Sequence, residues 1–217
     1  MANTRYPEQI FVSQKFNGAN KILNTRDETG QGLIEMTIAI AIILTGLIGA
    51  LALTVSNLSG SGEAGTRVVA SNLAREGIDV VRSVRDTNWL KNLAWDAGLS
   101  SGNDFTAIAV FNSTTNQWSL DFTPTSIGDP AAKLYRQNNN LYLQSTNPQG
   151  GTRTLYARLL TLDPICFNLT TRVETISGGP CDVGEQKIGV RVKSEVAWTE
   201  SGRPHLITLE DRLYNWK

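Results

Sequence analysis

From Leu33 to Val55 the chain runs for 23 residues with Glu35 as its only charge, and from Met36 to Gly62 there is no charge at all. A helix needs about 20 predominantly apolar residues to cross a bilayer, so this run predicts a membrane-length helix. Gly46 and Gly49 lie inside it. Each weakens a helix by about 1 kcal/mol relative to alanine, which marks a place to stretch or bend. The same two glycines equally suit close packing of helices in a membrane. Residues 1–30 show no sustained periodicity. After the apolar run comes SNLSGSGE (Ser56 to Glu63), which reads either as a short joint or as a section of one continuous rod.

The period then becomes helical. Val69, Leu73, Val80 and Val84 recur at three- and four-residue spacing, and Ile78 and Val81 widen the stripe. Arg75 and Asp79, and Arg82 and Asp86, stand four residues apart, a spacing that favours ion pairs along a helix. Such an apolar stripe needs a partner surface, and a sheet packed on one side is the natural one. Beyond about residue 100 the period falls to two. WSLDF alternates Trp118, Leu120 and Phe122. KLYRQNNNLYLQS reads as two short strands around the turn-forming Asn138 to Asn140. The clearest strand is IGVRVKSEVAW, with Ile188, Val190, Val192, Val196 and Trp198 on one face and Arg191, Lys193 and Glu195 on the other. One dry and one wet face predict an antiparallel sheet covered on one side. Gly202 and Pro204 are expected to turn the chain into a return strand carrying Ile207 and Leu209. The predicted fold class is α+β: a long N-terminal helix, spanning a membrane in its first half, packed on a C-terminal antiparallel sheet. Its segments are 1–30, a hydrophobic helix 31–57, an amphipathic helix 58–92 and a β domain 93–217.

Charge and chemistry narrow the function more than they specify it. Twenty basic residues balance twenty acidic ones, so no nucleic-acid partner is expected. An enzyme finds little support. His205 is the only histidine, and it sits beside Pro204 at the start of a predicted strand, a place that suits a surface or edge residue better than a general base. Cys166 and Cys181 lack the spacing of a zinc cluster. In an exported domain an even pair suggests one disulfide, the other reading being two buried thiols. Asp182 and Glu185 in CDVGEQ are oxygen donors of the kind calcium takes, but two acids in a loop are commonly just solvated, so no metal and no cofactor is assigned. Five tryptophans are expected in the core or between helix and sheet, with an exposed one able to meet a sugar or a partner surface. Asn112 in NST and Asn168 in NLT match the glycosylation pattern and are read as chance.

Three accounts of the N-terminus compete. Ala50-Leu51-Ala52 fits the cleavage site of an ordinary secretory signal, but the region before the apolar run is too long, and Asp27, Glu28 and Glu35 offset its positive charges. A single-pass anchor carrying an extracellular binding domain explains the run and lets Glu35 snorkel. The third account rests on GQGLIE: Gly30, Gln31 as the next residue, and Glu35 fifth after the glycine. This stretch resembles the class III signal of type IV prepilins and pseudopilins. The resemblance extends to ASNLAREGIDVVRSVRD, similar to the helical segment of minor pilins of the pilus-modification type, and to VRVKSEVAWTESGRPHLITLEDRLYNWK, similar to their carboxy-terminal hairpin. Two features depart from the family. Gln31 stands where phenylalanine is usual, and Asp27, Glu28 and Thr29 separate Arg26 from the glycine.

The resemblance implies a leader, residues 1–30, removed by a prepilin peptidase after Gly30, with the new amino terminus on Gln31 methylated. It implies that Glu35 meets the amino terminus of a neighbouring subunit and sets axial register. A disulfide near the end of the chain fits the family's architecture. The implied partners are other pilin subunits, the prepilin peptidase, the inner-membrane assembly machinery and, before assembly, membrane lipid. The implied location is the inner membrane as a single-pass protein, then the cell surface within a pilus. A minor pilin is expected first, a major pilin or a type II secretion pseudopilin second.

Overall fold

No proline interrupts the chain between Thr29 and Leu90, and one helix, α1 (Thr29–Leu90), occupies the whole of that stretch in the computed structural model. The structure describes residues 29–102, 105–145 and 151–216, with side chains from Gly32 onward, Ser59 excepted. Residues 1–28, nearly all of the expected leader, lie outside it. Contacts divide the chain into two units, Met1–Val55 and Ser56–Lys217. The expected helix 31–57 lies within α1 and the expected helix 58–92 belongs to it as far as Leu90, and Ser56 to Glu63 is helical in spite of its serines and glycines. α1 stops where Asn92 enters the left-handed region at φ 55°. The Leu93 N–H then donates to the Asn88 carbonyl (2.9 Å) and the Asn92 N–H to that of Trp89 (3.2 Å). This is the paired-bond cap that satisfies the last carbonyls of a helix.

In the first unit the described residues belong to α1, and from Gly32 to Val55 every side chain is exposed. This helix is long and apolar enough to cross a membrane. The run from Leu33 to Val55 would rise about 35 Å at 1.5 Å per residue, against a hydrocarbon core of about 30 Å.

The second unit is α+β. Among its described residues the strands are β1 (Thr106–Asn112), β2 (Gln117–Asp121), β3 (Lys133–Arg136), β4 (Tyr142–Leu143), β5 (Thr152–Asn168), β6 (Glu174–Ile176), β7 (Glu185–Glu200) and β8 (Arg203–Tyr214). All named pairings are antiparallel; an isolated bridge between Val110 and Gln144 is parallel. β5 is the organising strand. Along one edge it pairs continuously with β7, from Ala157↔Ala197 to Asn168↔Glu185. Its other edge is shared in sequence by β3, β1 and β6. The clean alternation expected of β7 is present, with Val190, Val192, Ser194, Val196 and Trp198 buried. The turn into β8 lies one step earlier than Gly202–Pro204. Ser201 (φ 50°) and Gly202 (φ 76°) take the left-handed conformations of a tight two-residue hairpin, and Pro204 already pairs with Thr199. Among the described residues β8 pairs with β7 alone, so a proline lacking its N–H is tolerated on this outer strand.

The helix stripe packs where the spacing predicts. Ala70, Leu73, Ala74, Ile78, Val80 and Val81 are buried, with Val69 and Val84 partly so. They meet Tyr156, Leu160, Leu162, Val190, Val192, Val196 and Trp198. The expected ion pairs differ. Asp79 is taken by Arg82 (2.7 Å), which also reaches Asp211 on β8 (2.7 Å), and Asp86 is taken by Arg85 (2.8 Å). Packing on the sheet draws Arg82 toward β8, which an isolated-helix rule cannot foresee. Close approach is permitted at Gly77, where a Cβ would come within 2.7 Å of Ser194 Oγ and 2.8 Å of Leu160 Cδ2.

Beside Gly77 lies a buried polar knot. Arg158 on β5 is fully buried. Its Nε donates to Gln144 Oε1 (3.0 Å) and its Nη1 to the Leu73 carbonyl (3.0 Å), with Glu76 3.5 Å away. Gln144 Nε2 in turn donates to the carbonyls of Ala132 and Arg158. Burial lowers the Arg158 pKa from its ordinary value, while Glu76 pulls the other way. The guanidinium therefore ties one turn of α1 to the sheet through bonds that also satisfy buried carbonyls.

Gly77→Ala should lower the unfolding free energy. Overpacking a tight contact costs about 1–3 kcal/mol, and the gain in helix propensity returns at most about 1 kcal/mol. A net loss of about 1–2 kcal/mol is expected in chemical denaturation of the detergent-solubilised chain. A variant as stable as the parent would show that α1 and β5 do not approach this closely.

Candidate functional site

A helix that stays in water hides its apolar side chains against something. In the first unit α1 shows the reverse: Leu33, Ile34, Met36, Ile38, Ile42, Ile43, Leu47, Ile48, Leu51 and Leu53 are all more than half exposed. Its hydroxyls are adapted to such surroundings. Thr37 Oγ donates to the Ile34 carbonyl (2.8 Å), Thr45 to Ala41 (2.7 Å) and Thr54 to Ala50 (2.9 Å). Each threonine thus satisfies its donor within the helix. Among the described residues, Glu35 is then the polar side chain of Leu33–Val55 that makes no such bond. It shares a shallow groove with Ile34, Ile38, Ala39 and Ile42, so it interrupts an otherwise apolar face. Gly30 and Gln31 fall in the first turn of α1, five and four residues before Glu35 along the helix.

In the second unit Cys166 and Cys181 form a disulfide with a Cα–Cα distance of 5.6 Å. Cys166 is buried on β5, and the bond closes the segment that carries β6. Glu185 is the acid nearest the pair, and its carboxylate accepts from the Asp182 N–H at 3.4 Å. Cys166, Cys181 and Glu185 are the ligand types brought together among the described residues, but sulfurs joined in a disulfide offer no thiolate. Asp182 and Glu185 thus close a turn between themselves.

His205 stacks on Trp198 across the β7–β8 pair, with ring centroids 5.1 Å apart and an interplanar angle of 13°. Trp198 is buried, Trp89, Trp95 and Trp118 are half-buried, and Trp216 is 73% exposed, meeting Trp89 edge-on at 4.6 Å. Both glycosylation-like asparagines serve turns. Asn112 Oδ1 accepts from the N–H groups of Thr114 (2.9 Å) and Thr115 (3.2 Å), and Asn168 Oδ1 from those of Thr170 (3.0 Å) and Thr171 (2.9 Å). The threonine that completes each pattern is therefore a turn residue held by the asparagine.

The Tyr156 hydroxyl donates to the Thr66 carbonyl (3.1 Å), and Thr66 Oγ donates to Glu200 (2.6 Å). Burial first, then Tyr142 and Glu200, raise the Tyr156 pKa above its ordinary value. A cavity of about 350 Å³ lies between the last turns of α1 and the β1–β2 hairpin, with Trp118 in its wall. Sequence periodicity placed Trp118 on a strand but carried no sign of the cavity, which needs the end of α1 beside the hairpin.

Reducing the disulfide, or replacing both cysteines by alanine, should lower the stability of the second unit by about 3 kcal/mol, the loop entropy released for this separation of 15 residues. Guanidinium denaturation followed by tryptophan fluorescence checks this, and superimposable curves for the oxidised and reduced forms would assign the bond no such role. Compared with protein-family models, with curated proteins and with solved structures, the chain matches none of them.

Proposed function

We propose that this chain is a minor subunit of a type IV pilus or pilus-like filament, inserted in the inner membrane as a prepilin, cut after Gly30 and assembled through α1. The observation that carries the reading is Glu35, alone on the exposed apolar face of a membrane-length helix. Such a surface calls for lipid or for other helices of the same kind. A carboxylate placed in either needs a positive partner. Cleavage after Gly30 supplies one, the free amine of Gln31, on every copy of the chain. In a bundle of such helices Glu35 of one subunit and Gln31 of the next then fix how far the two slide past each other. A charged pair in low dielectric is better suited to setting register than to adding stability.

The second unit serves as the part displayed outside the membrane. The disulfide supports that side of the assignment, because such bonds persist in oxidising compartments. No catalytic role and no cofactor belong to this function. Its partners are other pilin subunits, the prepilin peptidase, the inner-membrane assembly machinery and lipid. A major pilin or a type II secretion pseudopilin would use the same helix in the same way. The reading from another class is a single-pass anchor for an extracellular binding domain, which the exposed apolar helix fits equally well.

The native protein decides between them. A mature chain starting at Gln31, by intact mass and N-terminal sequencing from membranes, is the expected result. Met1 retained would indicate the anchor, and a start at Leu53 an ordinary secretory signal. Glu35→Ala should insert normally but enter sheared filaments at least about tenfold less, since an unpaired charge in low dielectric costs about 3 kcal/mol or more. Equal incorporation of variant and parent would remove the register role.

A further inference from the structure

The cavity beside the β1–β2 hairpin has a composition that points to a ligand class. Its walls include Ser83 and Thr87 from α1, Lys91 just beyond its end, and Asn116, Gln117 and Trp118 from the hairpin. They offer hydroxyls, amides and an indole, with no carboxylate, histidine or thiol. That set lacks the thiolate, imidazole and carboxylate ligands of protein metal sites, and its one amine, on Lys91, has no nucleophile-and-base partner arrangement around it. It is too polar for a lipid chain and has too few cations for a nucleic acid. Lys91 directly follows the C-terminus of α1, where a cation offsets the helix dipole. Its charge therefore answers the helix end before it answers a ligand. A neutral molecule rich in hydroxyls, with one apolar face for an indole, matches what remains. We infer that this cavity is a binding site for a neutral saccharide.

Both walls are held before any ligand arrives. Trp118 packs on Phe111 with centroids 5.0 Å apart and against the core between helix and sheet. The hairpin loop is fixed by the Asn112 bonds to Thr114 and Thr115, and Asn116 adopts φ 51° at its end. Facing it, the last turns of α1 are held by their carbonyl cap. A pre-formed site loses little freedom on binding, which is how a small polar ligand is held at all. At about 350 Å³ the cavity is at the small end of ligand pockets, the scale of a monosaccharide or disaccharide. The indole stacks on the apolar face of the sugar ring, and Asn116, Gln117, Ser83 and Thr87 supply directional donors and acceptors around its rim. This site does not depend on filament assembly, and its test is independent of the processing at Gly30.

The test is saturation-transfer NMR and calorimetry on the full chain in detergent, with cellobiose, lactose and N,N′-diacetylchitobiose as neutral probes and a glucuronate-containing disaccharide as the acidic one. At least one neutral probe should bind saturably, with Kd of about 1 mM, equivalent to about −4 kcal/mol. Trp118→Ala should abolish the signal. Trp118 also packs on the core, so Gln117→Ala and Asn116→Gly, both at exposed positions, provide variants that leave the fold intact. Each should weaken binding several-fold. The proposal is overturned if no neutral probe saturates, or if all variants bind as the parent does. It is also overturned if only the acidic disaccharide binds and Lys91→Met abolishes it.

Discussion

The constraint on which the rest depends is that the apolar surface of α1 from Leu33 to Val55 finds no cover among the described residues of its own unit. At about 25 cal/mol per Å², leaving side chains of this size in water is costly, and a helix of this length and apolarity suits a bilayer. The threonines follow from that constraint, since each returns its hydroxyl to a carbonyl in the same helix. So does the unbroken helix itself, because a backbone in hydrocarbon has no other way to satisfy its N–H and C=O groups. Glu35 is the exception that the constraint makes conspicuous.

The second unit solves a different problem with the same helix. Its part of α1 has a covered stripe, and the sheet supplies the cover. The small residues Ala70, Ala74 and Gly77 let the helix come close, and the larger Leu73, Ile78, Val80 and Val81 fill the space on either side. Arg158 then sits where a purely apolar contact would be simplest. Removing one partner from such a buried knot is expensive, whereas the knot as a whole adds little stability. Its effect is to allow one alignment, since the guanidinium reaches the Leu73 carbonyl and Gln144 together only when helix and sheet are in register.

What could be read from the chain follows from which surfaces were one-sided. β7 and β8 each bury one face more than the other, so period two showed both, and the stripe on α1 showed at three- and four-residue spacing. β5 went unrecognised because TLYARLLTLDPICF is buried along nearly its whole length on both faces, and a strand covered on both sides carries no alternation. Pro164 and the charged Arg158 and Asp163 hid it further. Yet β5 is the strand that touches almost everything else. The disulfide was open between a bond and two thiols, and spacing alone could not decide. It took β5 and the segment after β6 to bring Cys166 and Cys181 together. Glu35 was legible at once, because a charge in an apolar run needs no tertiary information. The cavity at Trp118 was not, since its two walls are separated by some twenty-five residues of chain and meet only in the folded unit.

The position of Glu35 also bears on why a subunit would keep it through both of its proposed environments. Leu33 begins the apolar run only two residues earlier, a rise of about 3 Å, so an anchor retaining its polar prefix could place the carboxylate near the interface with little penalty. Removing the prefix changes what lies within reach. The amine of Gln31 would then stand one helical turn before Glu35, the spacing at which charges on a helix meet. A waiting subunit could neutralise Glu35 with its own amino terminus, and assembly would exchange that partner for a neighbour's. The number of ion pairs stays constant through such an exchange, so the pair adds almost no net driving force. In such an assembly the apolar faces would provide the driving force for association, and the charge would determine which of the many offsets between smooth helices is occupied.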